Sequence, residues 1–272
     1  MSEQPSRAET AAFYRDFSVQ VGADDWRRDN GRHLRIRVEL ARLLGSSRDL
    51  RILDIGCGAG VLTSELCRYG EVLGTDLSGP AIDLASRLEP RATFLAGQFQ
   101  ELELGTGFDV ITLFDVLEHV PTQERADLFA RIDSMLGPRG CLILTTPHPG
   151  YTRWLREHQP DLLQIVDEAV EPHDVAALAE VHGLELVDYR AYDVDRPGAR
   201  QYQLFAFSRA GTVIAAGRPL RRLQARLGTL PVSPLPRARR FAHALRLMRA
   251  GRRDVARWLL GAGTPPPGQS ER

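Results

Sequence analysis

Apolar and polar positions along the chain follow two periods. Leu34, Val38, Ala41 and Leu44 recur near helical spacing, so 32–44 is predicted as an amphipathic helix stopped by Gly45. An earlier helix is predicted over 11–21, behind a polar and mobile 1–10. From residue 51 the period switches repeatedly. The pattern predicts strand 51–55, helix 60–68, strand 71–75, helix 79–87 and strand 92–96, then strand 108–113, helix 122–135 and strand 140–145. Residues 149–170 are less regular, with a helix predicted from Pro160. Glu171-Pro172-His173-Asp174 opens a helix to about His182, which Gly183 ends. Leu184 to Tyr189 and Gln201 to Phe207 read as two closing strands around the turn-rich 193–198. Such alternation predicts an α/β fold with a parallel sheet and helices on both faces, whose ligand lies at the carboxyl ends of the strands.

Charge changes this picture at one place. Net charge is zero, yet residues 211–272 carry 13 Arg against Asp254 and Glu271, while the remainder carries 22 Arg against 33 acids. The chain therefore divides into an acidic domain, 1–210, and an Arg-rich amphipathic helical tail, 211–272, whose last residues read as disordered. In the tail Leu220, Leu223 and Leu227 form one stripe, Phe241, Leu245 and Met248 a second, and Val255, Trp258 and Leu259 a third. Three roles stay open: peripheral contact with anionic lipid, packing on the chain's own acidic domain or a second subunit as a homodimer, and nucleic acid. Nucleic acid ranks last, because the tail lacks interleaved stacking aromatics and an RNA-binding module. No apolar run is long enough to span a bilayer and no signal-peptide pattern opens the chain, so the expected location is cytoplasmic, with the inner membrane surface open as a peripheral site. Cys57, Cys67 and Cys141 lack metal-ligand spacing and read as reduced thiols, with no metal expected.

The strongest chemical signal is Leu53-Asp54-Ile55-Gly56-Cys57-Gly58-Ala59-Gly60, a glycine turn between a strand and a helical pattern. Glycines there let bare backbone approach a ligand. Asp76 ends the next apolar run about 20 positions on, where a carboxylate can accept hydrogen bonds from both hydroxyls of a ribose. The ligand reads as an adenosine derivative.

Four segments in order carry a resemblance: LDIGCGAG at 53–60, GTDLS at 74–78, FDVITLFDVLEHV at 108–120 and LGPRGCLILTTP at 136–147. Together they resemble the class I S-adenosylmethionine-dependent methyltransferases over roughly 30–208. FDVLEHV followed by TTPHP is most similar to the O-methyltransferases of quinone biosynthesis and their small-molecule relatives. The resemblance implies a Rossmann-like, seven-stranded, mostly parallel sheet with one antiparallel strand near its end. It implies S-adenosylmethionine as cofactor, S-adenosylhomocysteine as product, and transfer to a small-molecule acceptor, most readily at a hydroxyl oxygen.

The implied cofactor residues are Asp54, Gly56, Cys57, Gly58, Gly60, Asp76, Leu77, Gln98, Phe99 and Phe114. Gln98-Phe99-Gln100 departs from the family, which often has an acidic residue there; an amide oxygen still accepts the adenine amino hydrogen bond. Arg35 or Arg37 is a candidate for the methionine carboxylate. His148 and His119 are the general-base candidates, because histidine titrates near neutrality and both stand at the active edge. A structural role at a helix start is open for His119. Tyr14 is a candidate to close over the cofactor or for packing, and Tyr151 and Trp154 are candidates for the acceptor wall or for the core of a lid. Two alternatives remain beside the small-molecule enzyme: a methyltransferase-like scaffold or binding protein, and a methyltransferase acting on RNA or protein.

Overall fold

The computed structural model describes residues 7–28, 30–209, 243–249 and 252–261. The expected stripe of Leu220, Leu223 and Leu227, and Phe241 with it, lies outside the described residues, as do the last residues from 262.

The strands are β1 (Leu50–Ile55), β2 (Gly70–Asp76), β3 (Thr93–Ala96), β4 (Phe108–Phe114), β5 (Leu136–Pro147), β6 (Leu184–Tyr192) and β7 (Tyr202–Arg209). They form one sheet in the order β3-β2-β1-β4-β5-β7-β6. β1 to β5 run parallel, and β7 inserts antiparallel between β5 and β6. The chain moves outward from β1 to β3 and then returns to place β4 on the other side of β1, with Ile55 beside both Thr75 and Leu113. That reversal opens a crevice above the carboxyl ends of β1 and β4.

The helices are α1 (Arg7–Arg27), α2 (Gly31–Leu44), α3 (Thr63–Leu66), α4 (Gly79–Leu88), α5 (Arg125–Met135), α6 (Pro149–His158) and α7 (Pro172–Val181), followed by α8 (243–249) and α9 (Arg253–Leu259). Alternation along the strands divides the core between two faces, because successive side chains point to opposite sides. Ile52, Val110 and Ile143 pack with Ile36 and Leu40 of α2. Their neighbours Leu53, Ile111 and Leu142 pack with Phe129 and Ile132 of α5 and with Val175 of α7. Asn30 starts α2 by accepting the His33 N–H at 2.7 Å, and Gly45 ends it at φ 56°.

Three local expectations change. α1 is longer than 11–21 and begins within the stretch expected to be mobile. The helix after the glycine turn shrinks from 60–68 to the short α3. Between 149 and 170 the helix starts at Pro149 rather than Pro160. His148 caps its first turn through a hydrogen bond from Gly150 N–H, and Pro149 suits a first position that needs no donor. Pro160 to Leu162 form only a short 3₁₀ turn.

The described part of the tail packs on the domain. Leu247, Val255, Trp258 and Leu259 are buried in one cluster with Ala59, Leu84 and Leu88. Trp258, for which lipid insertion and packing on the chain's own domain were both open, is 2% exposed and occupied in the chain's own core. Among the described residues no helix is long and apolar enough to cross a membrane. The three cysteines are free thiols.

Candidate active site

A cavity of about 830 Å³ opens at the carboxyl ends of β1, β2 and β4. One wall is the glycine turn. Gly56 N–H and Cys57 N–H both donate to the Thr75 carbonyl, at 2.8 and 2.9 Å, which folds the turn back over β2. Gly56, Gly58 and Gly60 all have positive φ, a region costly for residues with a Cβ. Their surroundings differ. A Cβ on Gly56 would strike Val116 at 2.3 Å, one on Gly60 would press on Ala85 and Phe94 at 3.1 Å, and one on Gly58 would meet nothing within 4 Å. Gly58 thus leaves bare backbone beside open space. Gly60 instead allows the turn to pack on β3 and α4, and it is not on the cavity wall.

Asp76 lies at the end of β2 and lines the cavity. Its Oδ2 accepts the Gly58 N–H at 2.8 Å and its Oδ1 the Ser78 N–H at 2.9 Å. Burial raises its pKa, against the opposing effect of those two donors. Ser78, not Asp76, caps α4, accepting the Ala81 N–H at 3.3 Å. Asp54, 2% exposed, accepts from Thr63 Oγ1 at 2.6 Å and Thr112 Oγ1 at 2.8 Å. Burial pushes it up to about 6 in spite of those hydroxyls. Leu77, Gln98, Phe99 and Phe114 line the same wall, as does Cys57, whose thiol burial holds protonated.

α1, the segment after β4 and the loop before α7 complete the lining, with Tyr14, Phe17 and Val21 of α1, Glu118 and His119, and Ile165 to Glu168. The Tyr14 and His119 rings lie 5.6 Å apart. His119 Nδ1 is 2.6 Å from the Val166 carbonyl. A carbonyl only accepts, so the ring donates from Nδ1 and keeps its lone pair on Nε2. Burial lowers the His119 pKa and favours that neutral ring, although Asp167 opposes the shift. Glu118, 1% exposed, is pushed well above the usual carboxylate range by burial and by Asp115, and its Oε2 has no hydrogen-bond partner.

Asp115, just after β4, has φ 57°, a strained position for a residue other than glycine. Thr145 Oγ1 donates to it at 2.9 Å and Arg32 pairs with it at 2.6 Å. Arg32 lines the cavity, whereas Arg35 and Arg37 do not. The arginine at this edge thus comes from the first turn of α2, one turn before the two expected from sequence. His148 is also off the wall, since its Nδ1 accepts the Gly150 N–H at 3.2 Å and caps α6. Tyr151 lines the cavity, while Trp154 stands outside it beneath Arg196. Sequence reasoning passed over Arg32, Asp25, Glu118 and Asp167. The Glu-His pair at 118–119 was the available signal for Glu118.

Comparison with known proteins agrees with this geometry. A family profile described as a methyltransferase domain matches residues 28–189. The chain is 28% identical over 209 residues to the ubiquinone biosynthesis O-methyltransferase of Coxiella burnetii, covering 69% of this chain and 86% of that one. It is 36% identical over 125 residues to the mitochondrial ubiquinone biosynthesis O-methyltransferase of Schizosaccharomyces pombe, covering 43% and 45%. Among solved structures it is similar to the magnesium protoporphyrin IX methyltransferase of Synechocystis PCC 6803 with bound SAH, at a TM-score of 0.58, 21% identity, and coverage of 74% of this chain and 100% of that one. The N-methyltransferase NodS of Bradyrhizobium japonicum, also in complex with SAH, gives a TM-score of 0.58 at 19% identity, covering 72% and 100%. Fold and sequence point the same way, and the chain belongs to the methyltransferase-domain family.

Proposed function

We propose that this enzyme moves the methyl group of S-adenosylmethionine to a hydroxyl oxygen of a small-molecule acceptor, and that His119 takes the hydroxyl proton. The observation that carries the reading is a single cavity lined by the glycine turn, Asp76 and a buried His119 whose Nδ1 is engaged by the Val166 carbonyl.

The glycine-turn wall suits the cofactor. Gly58 exposes backbone to open space, and each Asp76 oxygen, bound to one N–H, keeps a further lone pair for a ribose hydroxyl. Gln98 offers an amide oxygen for an adenine amino group, with Leu77 and Phe99 as apolar neighbours. Asp54 braces the turn through Thr63 and Thr112. When bound, the cofactor's sulfonium supplies an electrophilic methyl group. The chain has then to align the two reactants, an effect worth roughly 7–11 kcal/mol in well-oriented systems. His119 contributes an Nε2 lone pair for the acceptor proton, and Tyr14, Phe17 and Tyr151 close the acceptor side with aromatic surface. Similarity to the ubiquinone O-methyltransferases favours phenols and quinols as first acceptors.

Calorimetric titration with S-adenosylhomocysteine tests the cofactor wall. Asp76→Ala is expected to bind about 10- to 100-fold more weakly, since hydrogen bonds to a charged group contribute roughly 1.5–3 kcal/mol each. Unchanged affinity in that variant would remove Asp76 from the site. His119→Gln should lower turnover on a phenol panel about 100-fold or more while leaving S-adenosylhomocysteine affinity intact. Equal turnover would end the assignment of His119 as base.

A further inference from the structure

Helices α8 and α9 lie beyond the residues that match the family, yet they pack behind the glycine turn. Trp26 of α1 donates its Nε1–H to the Ala59 carbonyl at 2.6 Å, and Ala59 lines the cavity. Gly22, one turn earlier on the same helix face, permits this approach. A Cβ there would stand 2.4 Å from the Cβ of Ala59. The same helix carries Tyr14, Phe17 and Val21 into the cavity lining.

The far side of Trp26 meets the tail. Its ring lies 4.7 Å from that of His243 on α8. His243 is 5% exposed, with Nε2 at 2.6 Å from the Leu88 carbonyl and Nδ1 at 2.8 Å from Arg246 Nη2. The Leu88 carbonyl only accepts and the guanidinium only donates, so Nε2–H donates and Nδ1 accepts. Burial lowers the pKa of the ring and favours this neutral form. From the start of α9, Arg252 donates to the Ser86 carbonyl at 2.8 Å, and Arg27 of α1 lies 5.7 Å over the Trp258 ring. One pair of short helices thus grips α1 and α4 together, and α4 begins directly after Asp76 and Leu77.

We propose that α8 and α9 form a clamp on the cofactor site, with His243 and Trp26 as positioning residues that fix the Ala59 carbonyl and hold α1 over the cavity. The proposal rests on the cofactor reading of that cavity. It assigns a role to a segment outside the matched domain. It also makes the affinity for the cofactor depend on residues that do not touch it.

The test uses the full chain. Trp26→Phe keeps an aromatic ring against His243 and removes the donor to Ala59. His243→Ala removes both the ring contact and the bond to Leu88; if it does not fold, His243→Gln, which retains a donor, replaces it. Three quantities are measured: the thermal midpoint, S-adenosylhomocysteine affinity by calorimetry, and amide hydrogen exchange of residues 10–25 without ligand. The clamp predicts faster exchange in α1 than in wild type, with α5 unchanged, and about tenfold weaker S-adenosylhomocysteine binding in both variants. It also predicts raised KM values for S-adenosylmethionine and for the acceptor, whose side Tyr14 and Phe17 of α1 close. Lower midpoints with wild-type exchange in α1 and wild-type affinity would reduce both residues to packing and overturn it. A wild-type protein that binds no S-adenosylhomocysteine would refute the cofactor reading instead. Exchange alone would then decide the clamp, and equal α1 rates in wild type and Trp26→Phe would end it.

Discussion

At the scale of single residues, Asp54 and Asp76 show how one carboxylate braces a site and another faces it. Asp54 is buried beneath the turn with two threonine hydroxyls, and its pKa is raised to about 6. In the unfolded chain it titrates near the ordinary aspartate value. Between those two values the native state holds a proton that the unfolded state has released, so the Asp54 contribution to stability falls as pH rises through that window. Asp54→Asn lacks this dependence. The stability of Asp54→Asn relative to wild type should therefore grow by roughly 3 kcal/mol from pH 3.5 to pH 7. Denaturant unfolding at several pH values checks this, and a flat difference would mean that Asp54 is not desolvated in solution. Asp76 and the glycine turn were legible in the sequence because their signal is local: three glycines at fixed offsets and a carboxylate at the next strand end. Arg32 was not. It pairs with Asp115 in the cavity lining, and nothing in its own sequence neighbourhood separates it from Arg35 or Arg37. Of the two histidine candidates the sequence reading placed His148 ahead of His119, and the structure uses His148 as the cap of α6.

At the scale of elements, the glycine turn separates two demands that a sequence writes with the same letter. Gly58→Ala should fold with about 1–2 kcal/mol of backbone strain, because no atom lies within 4 Å of its new Cβ, yet lose cofactor affinity because that Cβ enters the open side. Gly56→Ala should lose about 2–5 kcal/mol of stability, since strain adds to a clash with Val116 at 2.3 Å. Thermal unfolding combined with S-adenosylhomocysteine titration separates the two, and equal destabilisation would contradict this division of roles. Strands β1 to β4, β7 and α4 were read from sequence to within two residues, because period-2 alternation and Ser78 are local cues, whereas β5 begins four residues before and β6 ends three residues after the expected bounds. The short α3 and the early start of α6 departed from expectation. Helical periodicity after residue 60 does not reveal that the turn consumes its first residues. His148 reads as a functional histidine until Pro149 and Gly150 place it at a helix start.

At the scale of the whole molecule, the described tail is part of the folded unit. Trp258→Ala, in a cluster with Leu84, Leu88 and Leu247, should cost about 3–5 kcal/mol and lower a single cooperative transition. An unchanged midpoint would show that α9 is not seated on the domain. The sequence by itself determined the parallel sheet, the glycine turn, the carboxylate at the end of β2 and the family, because these rest on short-range periodicity, turn geometry and chain-order spacing. Only the tertiary structure decided which of the candidate arginines and histidines line the cavity, how α1 lies against it, and where the described helices of the tail pack. Those outcomes depend on contacts such as Trp26 to Ala59, 33 positions apart, and His243 to Leu88, 155 apart. Pairings at such separations are selected by the packing of whole elements, and no local pattern of residues encodes them.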